Sequence, residues 1–345
     1  MRVGLCGYPG SGKSTVFAAL APGGGAERGG VAYGNIKVPD ARIEELSKIF
    51  NPKKKIFAEI TFIDVGGGGR ADTGAFPPEV VQNMRNADVL VHVVRGFDNP
   101  MLMEAPQPDR DRNHFNEEIA LLDLSILERR QERWVKERHK GPEVEVNDRC
   151  VDHLMEGLPL RSLELNENNL ETLASIQLLS LRPLITLYNL SEEAWEDPAF
   201  ADKRELTVSG TGEVSLAICG SIEAEIAGLE PDEQTEFLEA LGLGEPARNI
   251  FIQAAYKLLD LISFLTVGPD ECRAWPIRRG TIARKAAGKI HSDIERGFIR
   301  AETYTHSHMM EYGSEAALKS AGKTRLEGKE YVVQDGDVIN FRFNV

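Results

Sequence analysis

Gly7-Tyr8-Pro9-Gly10-Ser11-Gly12-Lys13-Ser14 has the spacing GxxxxGK[ST], and its context decides the fold class. An apolar run, RVGLC from Arg2 to Cys6, precedes it, and the helix-like STVFAALA follows. Strand, glycine-rich turn and helix in that order make a phosphate cradle. Glycines let backbone N–H groups converge on anionic oxygens, and the helix N-terminus adds partial positive charge. Lys13 is expected to bridge the β and γ phosphates and Ser14 to ligate Mg2+. Gly10, Ser11, Gly12 and Thr15 complete a site for a purine nucleoside triphosphate.

Four further apolar runs lie downstream: EITFIDV ending at Asp64, ADVLVHVVRGF from Ala87, PLITLYNL ending at Asn189, and VSLAICGS ending near Cys219. Continuous apolar runs bounded by turn residues fit buried strands of a parallel sheet, with helices in the intervals. The polar motifs fall at the C-terminal ends of these strands, where an open α/β sheet takes its ligand. Asp64-Val65-Gly66-Gly67 reads as DxxG. Its carboxylate can hold magnesium through a water and the Gly67 N–H can sense the γ phosphate, or Asp64 simply caps a strand end.

Between the third and fourth runs, NEEIALLDLSILERRQERWVKERHK carries Ile119, Leu122 and Ile126 at helical spacing. A break at Gly141-Pro142 and two more helical stretches follow, which predicts a helical hairpin inserted in the sheet domain. After Thr266 come short alternating runs, one helix and a turn at Asp335-Gly336-Asp337. The expected organisation is an α/β P-loop domain over 1–115 and 181–266, a helical insertion over 116–180, and a small α+β domain over 267–345.

Composition narrows the class. Net charge is -14 over 345 residues, which excludes a uniformly basic nucleic-acid binder. From Val267 onward there are 13 Lys/Arg against 11 Asp/Glu, leaving 27 of 40 and 43 of 54 to the rest, so the C-terminal part is the one suited to a polyanion. No run reaches the ~20 apolar residues of a membrane helix. The N-terminus lacks a hydrophobic leader core, and the four cysteines have no CxxC spacing. A cytoplasmic, monomeric protein with reduced thiols and no membrane partner is expected.

Long segments then resemble the Obg-like ATPase family, the YchF branch of the translation-factor class of P-loop GTPases. HVVRGFDN, FIQAAYKLLDLISFLT, AWPIRRGTIARKAAGKIHSDIERGFIRAE and EGKEYVVQDGDVINFRFNV carry the resemblance, which covers nearly the whole chain. It implies a C-terminal TGS domain of the β-grasp kind, weak nucleotide hydrolysis commonly favouring ATP, and association with ribosomes or RNA through the C-terminal domain and the helical insertion. GTPases usually end their fourth strand in NKxD, whose aspartate pairs with guanine. Asn189-Leu190-Ser191-Glu192 reads NxxE, as in this family, and a carboxylate one methylene longer does not dock on guanine in the same way. ATP at least as good as GTP follows, although Ser191 or Asn189 as a plain helix cap remains the alternative. Cys219-Gly220-Ser221 aligns with the segment whose backbone packs over the base.

Three departures stand out. Gly10 replaces the family's asparagine, which is associated with potassium. No threonine occurs between Thr15 and Thr61 to serve as the switch ligand of magnesium. Gly68 stands where family members have leucine and Ras-type enzymes a water-orienting glutamine. Slow turnover is expected, with His114, in the loop after the third strand, and Arg70 as candidate helpers. Arg129, Arg130, Arg133 and Arg138 suggest a partner face, a lid like that of a small-molecule kinase, or a solvated helix. Arg278, Arg279, Arg284, Lys285, Lys289, Arg296 and Arg300 form a basic stripe fit to contact RNA. A binding module without useful hydrolysis is the rival reading.

Overall fold

The computed structural model describes the chain apart from residues 24–25, 29–30, 66–75, 198–206, 210–211, 242, 244 and 345. It divides into two compact units. One comprises Met1–Ile36 and Ile60–Leu258, the other Lys37–Glu59 and Leu259–Val345.

The first unit is built on an eight-stranded sheet. Its strands are β1 (Arg2–Cys6), β2 (Ala26–Arg28), β3 (Val31–Lys37), β5 (Glu59–Asp64), β6 (Val89–Gly96), β7 (Leu184–Leu190), β8 (Thr207–Ser209) and β9 (Glu213–Cys219), in spatial order β2-β3-β5-β1-β6-β7-β9-β8. The five strands legible as apolar runs are the parallel centre, β5-β1-β6-β7-β9. Every residue of β6 and β7 is buried, because helices cover both faces of a parallel sheet. Antiparallel β2 and β8 border it as three-residue pieces too short to leave a sequence signal.

The insertion begins earlier than its charge pattern suggests. One helix runs thirty residues, Pro108–Glu137, with Pro108 at its first turn. Phe115 and Ile119, on its N-terminal part, lie in the core of the sheet domain with Cys6, Ile63 and Leu184. Leu127, further along, packs with Val146, Cys150, Val151 and Leu154 of the antiparallel helix Pro142–Met155. The fully buried Asp123 lies between these two cores. Its carboxylate accepts the N–H groups of Leu179 (2.9 Å) and Ser180 (2.6 Å) and the Ser180 hydroxyl (2.7 Å), which pins the return to β7.

The second unit is a six-stranded sheet of β4 (Lys54–Ile56), β10 (Leu261–Thr266), β11 (Glu271–Arg278), β12 (Phe298–Thr305), β13 (Arg325–Glu327) and β14 (Asp337–Phe343), ordered β13-β12-β14-β10-β11-β4. The helix Ala283–Ile290 buries Ala283, Ala286 and Ala287 in a core with Ile262, Phe264 and Phe341. Gly336, at φ 81°, makes the turn expected at Asp335-Gly336-Asp337. Two boundaries differ from the sequence expectation. LISFLT is the first C-terminal strand, β10, and not the end of the preceding helix, which stops at Leu258. Lys37–Glu59 leaves the P-loop domain altogether. Its helix Ala41–Phe50 buries Ile43 and Leu46, and β4 pairs in parallel with β11. Arg42 bonds Asp335 at 2.9 Å, across 293 positions of sequence.

All four cysteines are free and buried. Among the described residues no helix is long and apolar enough to cross a membrane.

Candidate nucleotide-binding site

The phosphate loop leaves β1 and enters the helix Lys13–Leu20 through three glycines of positive φ: Gly7 (151°), Gly10 (78°) and Gly12 (84°). These angles are open to glycine at no steric cost. A Cβ on Gly7 would also come within 2.5 Å of the Val93 carbonyl. Around this bend the Lys13 ammonium, itself buried, donates to the carbonyls of Gly7 (2.8 Å) and Tyr8 (3.2 Å). Burial draws its pKa below the ordinary lysine value, while the nearby Asp64 carboxylate and Cys6 act in the opposite direction. The Ser11 hydroxyl is buried with no partner. A buried unpaired polar atom costs about 1–3 kcal/mol, so it marks a place where an incoming acceptor is welcome. The loop therefore offers a cationic group held by weak carbonyl contacts, an orphan hydroxyl and a backbone shaped for an anion.

Gly10 has a local explanation. Arg95, buried at the end of β6, donates to the carbonyls of Glu104 (2.9 Å) and Ala105 (3.1 Å) and so holds the loop after β6 against the phosphate loop. Leu102 of that loop would lie 2.7 Å from a Cβ on Gly10, and the Asn99 amide donates to the Gly10 carbonyl at 3.4 Å. A side chain at position 10 would require Leu102 to shift and would sit on a backbone at φ 78°.

Beside the phosphate loop lies a cavity of ≈ 420 Å³, bordered by Gly12, Thr15, Phe97, Asn189, Glu192 and Ser221 among others. Asn189 is buried and acts as a brace. Its amide donates to the Ser11 carbonyl (3.1 Å) and its carbonyl oxygen accepts the Gly220 N–H (3.1 Å), so the ends of β7 and β9 are clamped to the phosphate loop. A Cβ on Gly220 would fall 2.7 Å from that oxygen. Ser191 caps the short helix Glu192–Glu196 by accepting the Ala194 N–H, which leaves the exposed Glu192 in its first turn at the cavity wall. Capping by Ser191 and a place for Glu192 on the cavity wall are thus compatible. Cys219 is buried with its thiol 3.2 Å from the Ser221 hydroxyl, and of the Cys219-Gly220-Ser221 trio only Ser221 borders the cavity.

Ser14 and Thr15 are exposed at the first turn of the helix. Among the described residues no group of three or more His, Cys, Asp or Glu forms a metal cage. Magnesium is commonly held by one or two protein oxygens plus substrate phosphates. The exposed Ser14 hydroxyl and the Asp64 carboxylate, near enough to Lys13 to act on its charge, are oxygen donors of the kind that would hold such an ion. Gly67, Gly68 and Arg70 lie outside the described residues.

His114 sits in the long helix and not in a loop, with its Nδ1 3.3 Å from the Tyr8 hydroxyl. Glu118, one turn on, also meets Tyr8 and is buried. The sequence reading placed Glu118 on a charged helix and missed it. Its signal was position: it is a carboxylate among Phe115, Ile119 and Leu122.

The chain is 36% identical over 361 residues to the ribosome-binding ATPase YchF of Pasteurella multocida, covering 100% of this chain and 99% of that protein. The chain belongs to the YchF family. Its relative in Bacillus subtilis, also named ribosome-binding ATPase YchF, is 37% identical with all of both chains covered. The family model YchF-GTPase_C, described as a protein of unknown function (DUF933), matches residues 261–344. The solved YchF GTPase of Schizosaccharomyces pombe superposes with a TM-score of 0.86 at 27% identity, over 99% of this chain and 97% of that one. The YchF fold, a P-loop NTPase sheet with a distinct C-terminal domain, is therefore the fold of this chain.

Proposed function

We propose that this chain binds a magnesium–purine nucleoside triphosphate, ATP at least as well as GTP, hydrolyses it slowly, and acts as a nucleotide-dependent switch at the ribosome. The observation that carries the reading is the phosphate loop: a buried lysine parked on its own carbonyls beside an unpaired buried hydroxyl. In bound form Lys13 exchanges those carbonyls for β and γ oxygens, and the loop N–H groups with Ser11 complete the cradle. Asn189 keeps the loop in register with the base side of the cavity. When bound, magnesium neutralises charge developing between the β and γ phosphates. Glu192 faces the base, and its longer reach removes the bidentate guanine match.

Gly68 has no side chain with which to orient water as a Ras-type glutamine does, so the basal rate is expected near or below the ~10⁻⁴ s⁻¹ of an unaided Ras-type enzyme. Ribosome association is proposed from the printed names of the relatives. The basic stripe supports an RNA contact in part. Lys285 pairs with Glu295, Arg296 with Asp293 and Arg279 with Asp260, but Arg278, Lys289 and Arg300 are exposed with no ion pair among the described residues. A cytoplasmic, monomeric switch is the form proposed.

Calorimetry of ATP and GTP with magnesium tests the base side. The Glu192→Asp variant is expected to gain in GTP affinity relative to ATP by about ten-fold, the scale of one paired polar contact. GTP binding by the parent chain with no ATP binding overturns the assignment. Phosphate release no faster than in buffer, with ribosomes present, would leave only a nucleotide-binding module.

A further inference from the structure

Glu118 is buried on the helix Pro108–Glu137, and nothing in the binding of nucleotide described above uses it. Its two carboxylate oxygens do separate work. Oε1 accepts the backbone N–H of Phe76 at 2.5 Å, and Oε2 accepts the Tyr8 hydroxyl at 3.4 Å. Tyr8 belongs to the phosphate loop, and its carbonyl is one of the two that hold the Lys13 ammonium. Phe76 is the first described residue after the DxxG stretch. Its ring stacks on Tyr8 at 5.9 Å with 6° between planes, and meets Phe115 edge-on at 5.8 Å. At the other end of that stretch, Val65 donates its N–H to the Leu5 carbonyl of β1 at 3.1 Å.

Val65 and Phe76 are therefore each tied to the frame that carries the phosphate loop, Val65 by a strand hydrogen bond and Phe76 by a single side-chain carboxylate. A backbone N–H held by a buried carboxylate is a strong, charge-assisted contact. Burying a carboxylate is costly, and here two donors meet it, the Phe76 N–H and the Tyr8 hydroxyl, with His114 beside the latter. A helix meant only to pack would place an apolar residue at this position, as it does at Phe115 and Ile119.

We propose that Glu118 is a positioning residue for nucleotide hydrolysis, fixing Phe76 and the phosphate loop at Tyr8 against each other. The proposal rests on the hydrolytic reading above and extends it to a residue outside every P-loop motif. Glu118 does not touch the nucleotide. It holds Tyr8, whose carbonyl carries the Lys13 ammonium, and a displacement of about 1 Å at such a site is enough to cost a large factor in rate. The third turn of the insertion helix thereby becomes part of the hydrolytic machinery.

The test uses the full chain with Glu118→Ala and Glu118→Gln. Three quantities are read: single-turnover ATP cleavage, affinity for a non-hydrolysable ATP analogue, and hydrogen exchange of the 76–81 amides with that analogue bound. Glu118→Ala is expected to slow cleavage by about ten-fold, the equivalent of one strong hydrogen bond, with affinity changed less than about three-fold and exchange at 76–81 accelerated. Glu118→Gln keeps an oxygen for the Phe76 N–H and is expected to return cleavage to within about three-fold of the parent. Parent-like cleavage in Glu118→Ala, equal losses in the two variants, or a loss of affinity matching the loss of rate each overturns the proposal. Should Glu118→Ala fail to fold, Tyr8→Phe removes one arm only. It is expected to slow cleavage about three-fold at unchanged affinity, and no slowing overturns the proposal. If the parent chain cleaves no ATP, the hydrolytic reading fails by itself, and exchange at 76–81 still decides whether Glu118 holds Phe76. Faster exchange in a variant supports that anchoring and unchanged exchange overturns it.

Discussion

At the residue scale the unusual features cluster under the phosphate loop. His92 lies in the middle of β6, wholly buried, stacked on Phe115 at 4.0 Å, with neither ring nitrogen bonded. Burial, helped by the Lys13 charge, draws its pKa from 6.5 to about 3. The folded protein then binds fewer protons than the unfolded chain between those two values. The stability this contributes is complete above pH 6.5 and is lost as pH falls toward 3, at up to ~1.4 kcal/mol per pH unit. Denaturant unfolding across that window should show the parent losing more stability than His92→Leu, whose curve is flatter. Identical slopes would mean that the imidazole takes up its proton alike in the folded and unfolded states. Lys13, Ser11 and Asn189 could be named from the sequence. That Asn189 braces the loop could not, because its partners Ser11 and Gly220 lie 178 and 31 positions away.

At the element scale, the long helix Pro108–Glu137 serves two cores, and Asp123 stands where it passes from one to the other. Burial raises the Asp123 pKa, and its three hydrogen bonds from Leu179 and Ser180 act against that shift. Removing the carboxylate leaves those donors buried and unpaired, so Asp123→Ala is expected to cost about 3 kcal/mol in denaturant unfolding. A cost below ~0.5 kcal/mol would show that the turn into β7 holds without it. The central strands were legible because continuous apolar runs fit only a sheet covered on both faces. The insertion's start was not. Charges at Asp109, Arg110, Asp111 and Arg112 look like loop, while Pro108 and two apolar residues, Phe115 and Ile119, are enough to set the helix against the sheet.

At the scale of the whole molecule, the C-terminal unit is assembled from two pieces of sequence, Lys37–Glu59 and Leu259–Val345. The matched family region, 261–344, contains only the second. Without the first piece, β11 loses its neighbour β4, and the burial of Ile43 and Leu46 is lost. Two such side chains are worth about 3–6 kcal/mol, comparable with the whole stability of a small domain. A chain of residues 259–345 is therefore expected to melt without cooperativity, and a peptide of residues 37–59 to restore a cooperative transition. A sharp transition in 259–345 alone would refute this. Sequence by itself settled the phosphate loop, the parallel sheet, the family likeness and the charge contrast between the two ends, because each is written in adjacent residues or in local periodicity. The three-dimensional fold alone decided that Lys37–Glu59 joins the far end of the chain, that Asn189 clamps the loop, and that Glu118 faces inward to meet Tyr8 and Phe76. Those depend on which distant groups meet once apolar surface is buried, and spacing along a chain does not encode that.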